Sequence, residues 1–319
     1  MSAQAEPAAP ATVRVRVPAT TANLGPGFDC LGLALTLYDE IEIAMRSDDK
    51  VVVEIAGIGT DSLPRDDRHL LLASMRKAAL EFGVSVRGVE LRVRNSIPQR
   101  RGLGSSAATI TSGVVAAWML APGHARLDLA QILAVAAGIE GHPDNVAACV
   151  YGGLAISWQG AQGAAAVALP VHPDVGPVLF VPESELSTDA ARGLLPTSVP
   201  HVDAAFNSGR SALLIHALTS APDLLFEATE DRLHQKYRST EMPQTMTLLE
   251  ALRGVGIAAV VSGAGPSVLA LSCSGAARPE AVPLPPGWSR QRLDVSVGVE
   301  AREVPGSGEY GRGDPCCAR

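Results

Sequence analysis

The stretch Pro98-Gln-Arg-Arg-Gly-Leu-Gly-Ser-Ser-Ala-Ala108 decides the fold of this chain. It follows Val89-Glu-Leu-Arg-Val-Arg94, where apolar and polar residues alternate as in a half-buried strand. It precedes a run of small and apolar residues, 107–121, that predicts a buried helix. A glycine-rich turn therefore joins a strand to a helix N-terminus. Unpaired backbone N–H groups and the positive end of the helix dipole suit that junction to an anion.

The individual residues of this turn have expected roles. Gly102 and Gly104 allow the main chain to approach a ligand closely. We expect Ser105 and Ser106 to cap the helix, or to offer hydroxyls to a phosphate oxygen or a metal ion. The turn is not a Walker loop, because no Gly-Lys-Ser/Thr follows. An ordinary capped helix after a glycine turn would have the same local sequence, so this stretch leaves both interpretations open.

Composition limits the classes of protein that this chain can belong to. It has 319 residues, 47% of them hydrophobic, which is enough for two domains with a sizeable core. A net charge of −7 and an aromatic content of 4% argue against nucleic acid or an anionic membrane as the main partner. There is no apolar run long enough to predict a transmembrane helix. The 5 cysteines form no Cys-x-x-Cys pair, which is typical of a reducing compartment and predicts a cytoplasmic protein.

The order of predicted elements indicates an α+β protein. Alternation over residues 13–17 predicts a strand that Pro18 ends, followed by a turn-rich loop to Asp29. The remaining predicted strands are 31–37, 41–45, 51–55, 154–158, 178–181, 257–261 and 268–271, and the remaining helices are 66–82, 127–139, 202–218, 222–237 and 243–253. These segments lack a regular strand–helix–strand rhythm, so the class is α+β rather than doubly wound.

We predict four segments along the chain. Residues 1–12 are rich in alanine and proline and read as a disordered leader. An N-terminal domain covers 13–166 and a C-terminal domain 167–304, with the boundary placed beyond a small-residue stretch. Residues 305–319 read as a loose tail.

Two pairs of charged or amide residues are candidates for binding a small polar ligand. Asn23 and Asp29 flank a Gly-Pro-Gly turn, where such residues often serve only the turn, but where they can also face a ligand such as an ammonium group. Arg192 and Arg232 are candidates to hold a carboxylate, for which the guanidinium fork is suited. Spacing by itself leaves both arginines as possible surface residues.

Two further stretches are candidates for chemistry. Glu140-Gly-His-Pro-Asp-Asn145 follows a predicted helix, and Glu140 is the candidate Mg²⁺ ligand, since one carboxylate beside a triphosphate suffices. His142 has no histidine nearby in the sequence, which argues against a transition-metal site. Ser262-Gly-Ala-Gly-Pro-Ser267 is either a tight hairpin or a backbone wall against a ligand.

Several of these motifs together resemble the GHMP kinases. Pro-Ala-Thr-Thr-Ala-Asn-Leu-Gly-Pro-Gly-Phe-Asp at 18–29, the glycine-rich stretch at 98–108 and Ser-Gly-Ala-Gly-Pro-Ser at 262–267 match in order. Within that group the chain is most similar to the homoserine kinases. The matching segments are Glu-Gly-His-Pro-Asp-Asn-Val-Ala at 140–147, Thr-x-x-Ala-Arg-Gly-Leu-Leu-Pro at 188–196 and Asp-Arg-Leu-His-Gln-x-Tyr-Arg at 231–238.

The resemblance implies a fold, an activity and a set of site residues. The fold has an S5-like domain followed by a ferredoxin-like domain, and the activity is ATP-dependent phosphorylation of the side-chain hydroxyl of L-homoserine, in threonine biosynthesis. Mg²⁺ is the implied metal, with Glu140 and Ser106 as its ligands, and a homodimer is possible. The residues implied to bind the ATP phosphates are Pro98, Arg101, Gly102, Leu103, Gly104, Ser105, Ser106 and Ala107. Those implied to bind the amino acid are Asn23, Asp29, Thr188, Arg192, Arg232 and Gly265, and those at the reacting centre are Glu140, His142 and Asn145.

Asn145 distinguishes this chain from some other GHMP kinases. It matches a position where mevalonate kinase and galactokinase have an aspartate that can act as a base. The resemblance therefore implies direct in-line transfer without a dedicated base, which phosphoryl transfer tolerates because positioning and charge stabilisation dominate. A related kinase acting on mevalonate, and a catalytically silent member that binds ligand as a sensor, are the alternatives.

Overall fold

The computed structural model describes residues 12–121, 123, 126–161, 163–275 and 277–304. The strands are β1 Thr12–Ala22, β2 Leu31–Arg46, β3 Val51–Gly57, β4 Gly88–Asn95, β5 Leu154–Gly160, β6 Gly163–Leu169, β7 Gly176–Pro182, β8 Ala258–Val261, β9 Val268–Ser272, β10 Trp288–Arg292 and β11 Glu300–Val304. The helices are α1 Leu70–Glu81, α2 Ser105–Met119, α3 Leu129–Glu140, α4 Asp144–Tyr151, α5 Thr188–Gly193, α6 His201–Thr219, α7 Leu225–Ala228, α8 Gln235–Arg238 and α9 Pro243–Gly254.

The first sheet carries the glycine-rich turn. Its strand order is β11-β1-β2-β4-β3, and β5 extends it by pairing with β2 and β6. In β1, the side chains of Val13, Val15 and Val17 are buried and those of Arg14 and Arg16 are exposed. The apolar and polar residues that alternate in the sequence therefore point to opposite faces of the sheet. Helix α2 is buried along nearly its whole length, as its apolar sequence predicts.

The second sheet is smaller and has the order β10-β7-β9-β8, with every neighbouring pair antiparallel. Helix α9 packs on β8 and β9, and its Leu252 lies in a core with Phe180 and Val261. Two sheets that each pack against helices confirm the α+β class.

The sheet pairings bear on the predicted segments without deciding the domain boundary. Strand β6 continues the first sheet to Leu169, and β11 returns to that sheet by pairing with β1. The boundary after residue 166 therefore stays a prediction. Thr12 is the first residue of β1, while the rest of the predicted leader, 1–11, and the predicted tail, 305–319, lie outside the described residues.

Two strand predictions were wrong in their limits. Pro18 does not end β1. The strand shifts register between Pro18 and Ala19 and continues to Ala22, because proline, which has no N–H, is tolerated at such an irregularity. The two short strands predicted over 31–37 and 41–45 are one strand, β2, which pairs with β1, β4 and β5.

Two helix predictions were also wrong in their limits. Helix α1 begins at Leu70 rather than at Asp66, because the His69 side chain accepts a hydrogen bond from the Leu71 N–H and caps it. The single helix predicted over 222–237 is a 3-10 turn and the short helices α7 and α8. It is interrupted where the Asp231 carboxylate accepts the N–H groups of residues 233, 234 and 235.

Among the helices of the described part of the chain, none has both the length and the apolar character needed to cross a membrane.

Candidate active site

The glycine-rich turn ends in an uncapped helix. The N-cap of α2 is Gly104, at φ 67°, which has no side chain to accept a hydrogen bond from the first turn. The prediction that Ser105 and Ser106 cap this helix was wrong, since they are its first two residues. The N–H groups of the first turn, including that of the buried Ala107, are therefore left for an anion.

The second glycine-rich turn lies against the first. Gly102 has φ 70°, and a Cβ there would overlap the carbonyl oxygen of Ser262 and crowd the backbone of Gly265. Ser262 Oγ donates to Gly102 O at 2.7 Å. On the other side, the Leu103 carbonyl accepts the Thr20 N–H at 3.1 Å. Both glycine-rich turns and the end of β1 thus form one backbone-lined surface. The substrate contact predicted for Gly265 stays a prediction.

Glu140 and Ser106 lie together at the N-terminus of α2. Ser106 Oγ donates to Glu140 Oε2 at 2.7 Å, although 34 residues separate them. Burial raises the pKa of the Glu140 carboxyl above its usual value, and the hydrogen bond from Ser106 opposes the rise. A hydroxyl and a carboxylate beside a phosphate site are oxygen ligands of the kind that Mg²⁺ takes. Within the described residues, no group of three or more His, Cys, Asp or Glu side chains that could hold a metal was found.

His142 and Asn145 are joined through Asp144, a residue that the sequence analysis did not select. The Asp144 carboxylate is buried, accepts the Asn145 N–H at 2.7 Å and lies 3.4 Å from His142 Nδ1. The Asp144 contact raises the pKa of His142 and favours the imidazolium ion. Thr20 Oγ1 donates to Asn145 Oδ1 at 2.9 Å, which brings the Asn145 amide beside Gly104.

Asn23 and Asp29 adopt left-handed backbone conformations, with φ 68° and 53°. Such conformations are several-fold enriched in Asn and Asp, which explains these residue types locally. Asn23 Nδ2 donates to Gly263 O at 2.7 Å, and Asn23 Oδ1 accepts the Asp29 N–H at 3.0 Å. Asn23 therefore ties the turn that carries Asp29 to the second glycine-rich turn.

Arg192 pairs with Asp29 through both terminal nitrogens, at 3.1 and 2.7 Å. These hydrogen bonds raise the pKa of Arg192. Its Nε is buried and has no partner among the described residues. The structure thus joins an anion and a cation from distant parts of the chain and leaves one donor unused.

Arg238 is a further cation of this site that the sequence analysis quoted in a motif but did not select. It is 1% exposed and donates to Ala191 O and Gly263 O, at 3.2 and 3.4 Å. Burial, with the positive charge of Arg192 as the second cause, lowers the pKa of Arg238 to about 10. His234 holds it in place: Nδ1 accepts from Arg238 at 3.0 Å and Nε2 donates to Gly25 O at 2.8 Å, so this imidazole is neutral.

Four predicted site residues lie away from this cluster or have other partners. Arg232 Nη1 pairs with Asp203 at 3.3 Å, and the guanidinium lies over the Phe206 ring. Arg101 donates to the carbonyl oxygens of residues 99, 182 and 183, which fastens the first glycine-rich turn to β7. Thr188 is exposed at the start of α5, the helix that carries Arg192, and Pro98 is half-buried at the start of the turn. The roles predicted for these residues stay predictions.

Comparison with known proteins gives this site a family. A homoserine kinase from Streptomyces avermitilis is 52% identical to the chain over 290 residues, 90% of this chain and 94% of that protein. This chain belongs to the homoserine kinases of the GHMP kinase family. A second homoserine kinase, from Streptomyces coelicolor, is 52% identical over 286 residues, 89% of this chain and 92% of that protein. The models for the GHMP kinases N terminal domain and the GHMP kinases C terminal match residues 69–153 and 210–282.

Structural comparison agrees with this family. The crystal structure of homoserine kinase from Cytophaga hutchinsonii superposes with a TM-score of 0.79 at 26% identity, covering 95% of this chain and all of that one, 100%. The GHMP kinase fold implied by the sequence resemblance is confirmed. Membership of this kinase family implies the use of ATP.

Proposed function

We propose that this chain transfers the γ-phosphoryl group of ATP to the side-chain hydroxyl of L-homoserine, a step of threonine biosynthesis. The observation that carries the proposal is the pairing of Asp29 with Arg192 beside the buried Arg238. An α-amino acid has an ammonium and a carboxylate attached to the same carbon atom, and here a carboxylate and two guanidinium groups lie side by side. Asp29 would accept from the ammonium, while Arg192 Nε and Arg238 would donate to the carboxylate.

The connections between the two halves of the site support transfer over a short distance. Asn23, in the turn that carries Asp29, donates a hydrogen bond to the carbonyl oxygen of Gly263, and the Ser262 hydroxyl donates to Gly102 of the first glycine-rich turn. A substrate held at Asp29 would therefore lie next to the N-terminus of α2. The N–H groups of that helix would stabilise the charge of the γ-phosphate, and a protonated His142 would add to that field.

The reaction is proposed to need no dedicated base. Asn145 cannot take a proton, and its Oδ1 accepts from Thr20. Asp144 is buried and occupied by the Asn145 N–H and by His142, which supports a positioning role. In phosphoryl transfer the hydroxyl proton can leave late, because the transition state is loose and charge stabilisation dominates.

Ser106 and Glu140 are the residues proposed to hold Mg²⁺, which fits their shared position at the helix N-terminus. Mg²⁺ bound there would neutralise charge on the phosphates of ATP. Glu140, whose carboxyl pKa is raised by burial, would be kept ionised by the metal.

The experiment is ADP release by the purified chain with Mg-ATP and each of four acceptors: L-homoserine, D-homoserine, L-threonine and mevalonate. Stimulation by L-homoserine and by none of the others is the expected result. Stimulation by mevalonate would refute the proposed amino acid site but would still support an ATP-dependent kinase. Absence of stimulation by all four, with Mg-ATP still bound in a direct binding assay, would favour a silent ligand-binding member.

Three expectations stay predictions beside this proposal. They are the domain boundary after residue 166, a homodimer and a cytoplasmic location. Light scattering on the purified chain tests the homodimer, and limited proteolysis around residue 166 tests the boundary.

A further inference from the structure

Thr20 is a residue of β1 whose side chain lies beside the N-terminus of α2. It is 0% exposed, and its N–H donates to the Leu103 carbonyl at 3.1 Å. A Cβ at Gly104, the N-cap of α2, would overlap Thr20 Oγ1. The first glycine-rich turn therefore holds the Thr20 backbone and leaves room for its hydroxyl. The sequence resemblance implies no role in the reaction for this residue.

The Thr20 hydroxyl donates to the side chain of Asn145, from Oγ1 to Oδ1 at 2.9 Å. On its other side the Asn145 amide faces Asp144, whose carboxylate can only accept, and Nδ2 donates to Asp144 Oδ1 at 3.4 Å. The reverse orientation of the amide would place Oδ1 against this carboxylate, and the negative charges of the two oxygens would repel each other. Asp144 and Thr20 together thus define one orientation of the carboxamide.

This orientation leaves one donor unused. A carboxamide nitrogen carries two N–H groups, and Asp144 is the one hydrogen-bond partner of Asn145 Nδ2 among the described residues. Asn145 Oδ1 lies 3.0 Å from the position of a Cβ at Gly104, so the amide is next to the N-terminus of α2. On the other side, after the contact with Asp29, the negative charge of Asp144 helps to raise the pKa of Arg192. The Asn145 amide therefore lies between the two parts of the proposed site.

We propose that Thr20 is a positioning residue for phosphoryl transfer: its hydroxyl holds the Asn145 carboxamide so that the second Nδ2–H points to the oxygens between which the phosphoryl group moves. In that transfer the acceptor oxygen bonds to phosphorus, the bond from phosphorus to the ADP oxygen breaks, and the hydroxyl proton is released to water. Charge on these oxygens changes during the transfer, so a donor fixed there stabilises the transition state more than the bound substrates. Without the hydroxyl the amide rotates more freely, and its orientation has to be restored in each reaction. The inference rests on the proposed function for the identity of the acceptor.

The test is steady-state ADP release by Thr20→Val, with kcat and KM measured for L-homoserine and for Mg-ATP. Valine is β-branched like threonine and suits a strand, so the change removes the hydroxyl and little else. The expected result is a roughly tenfold fall in kcat with both KM values retained, since a hydrogen bond of ordinary strength corresponds to about that factor. A kcat equal to that of the parent, or a rise in either KM without a fall in kcat, overturns the proposal.

Two further variants separate positioning from a merely structural role. Thr20→Ser keeps a hydroxyl and should restore most of the kcat; a kcat as low as that of Thr20→Val would contradict the proposal. Asn145→Ala removes the donor itself. Thr20→Val added to Asn145→Ala should lower kcat by less than about twofold, because a positioning residue acts only through the group that it holds. An undiminished effect of Thr20→Val in this background would show that Thr20 acts independently of Asn145 and would overturn the proposal.

Thr111→Val is the matched control. Thr111, in α2, is also 0% exposed, so the same chemical change is made at an equally buried position, and kcat should be unchanged. A fall as large as that in Thr20→Val would mean that loss of a buried hydroxyl suffices, and would overturn the proposal. Thermal unfolding reports whether each variant is folded, and where Thr20→Val is not, Thr20→Ala makes the same deletion.

The two proposals fail in different ways. A parent without L-homoserine-dependent ADP release would reject the proposed function and this inference with it. An active parent with an equally active Thr20→Val would reject this inference alone.

Discussion

The substitution Arg192→Gln tests the proposed amino acid site most directly. Arg192 contacts Asp29 at 3.1 and 2.7 Å, and its buried Nε, which has no partner among the described residues, is the donor that we propose for the substrate carboxylate. A hydrogen bond to a charged group contributes about 1.5–3 kcal/mol. The Arg192 side chain is 33% exposed, so solvent screens part of this interaction and the lower half of the range applies. About 1.5–2 kcal/mol corresponds to a roughly 10- to 30-fold increase in the KM for L-homoserine.

The matched control is Arg232→Gln. Arg232 is 47% exposed and pairs with Asp203, an interaction of the kind that contributes about 0–1 kcal/mol. We expect the KM for L-homoserine to change by less than about fivefold in this variant. Both variants should retain the parent's KM for Mg-ATP, because neither guanidinium pairs with the first glycine-rich turn.

The assay is steady-state ADP release with L-homoserine varied at saturating Mg-ATP. An unchanged KM in Arg192→Gln would refute the carboxylate site at Arg192. An increase in Arg232→Gln as large as that in Arg192→Gln would instead support the sequence-based expectation that both arginines bind the carboxylate.

Three further predictions concern the metal, pH and the buried arginine. Glu140→Gln should lower kcat roughly 100-fold, since a bound metal ion stabilises the transition state by several kcal/mol. It should affect the binding of ATP without metal far less. Near-normal turnover of the variant at low Mg²⁺ would contradict the proposed metal role of Glu140. Burial raises the pKa of Asp39 from 3.8 to about 6, so between these values the folded chain retains a proton that the unfolded chain has lost, and the free energy of unfolding falls as pH rises. Asp39→Asn keeps a hydrogen-bond acceptor and removes the charge. Thermal unfolding should therefore show the variant to be more stable than the parent by about 2–3 kcal/mol at pH 8, and no more stable at a pH below the pKa of Asp39 in the unfolded chain. A variant less stable than the parent at pH 8 would contradict this prediction. Arg238→Lys should lower the free energy of unfolding in denaturant by about 1–3 kcal/mol, because an ammonium group cannot make all the hydrogen bonds of the buried guanidinium. The control is Arg87→Lys at an exposed position, which should change this free energy by less than about 0.5 kcal/mol. Equal effects of the two substitutions would exclude a structural role for Arg238.

Local patterns predicted the parts of the fold that depend on local interactions. The alternation at 13–17 and 89–94 identified β1 and β4, since successive side chains of a strand point to opposite faces of the sheet and one face is more buried than the other. The predicted ends of strands and helices were wrong where a contact with a distant strand or a side chain decides them. Pro18 lies inside a strand that β2 holds in place, and the Asp231 carboxylate interrupts a helix that the local sequence favours.

The candidate site divides in the same way. Residue type and spacing predicted a glycine-rich turn between β4 and α2, and the structure has one there; its binding of phosphates stays a prediction. The sequence could not distinguish charged side chains that lie at the surface from those that are buried in the site. Arg232 and Arg238 are six residues apart in one motif, and only packing makes one half-exposed and the other buried beside Arg192.

The sequence by itself determined the strand, glycine turn and buried helix on which this kinase fold is built, because those choices follow from periodicity and from backbone freedom. The tertiary structure decided which charges meet. Asp29 and Arg192 are 163 residues apart, and Ser106 and Glu140 are 34 apart, yet each pair is in hydrogen-bond contact. Electrostatic pairing depends on distance in space and on exclusion of water, and neither quantity is written in the order of residues along the chain.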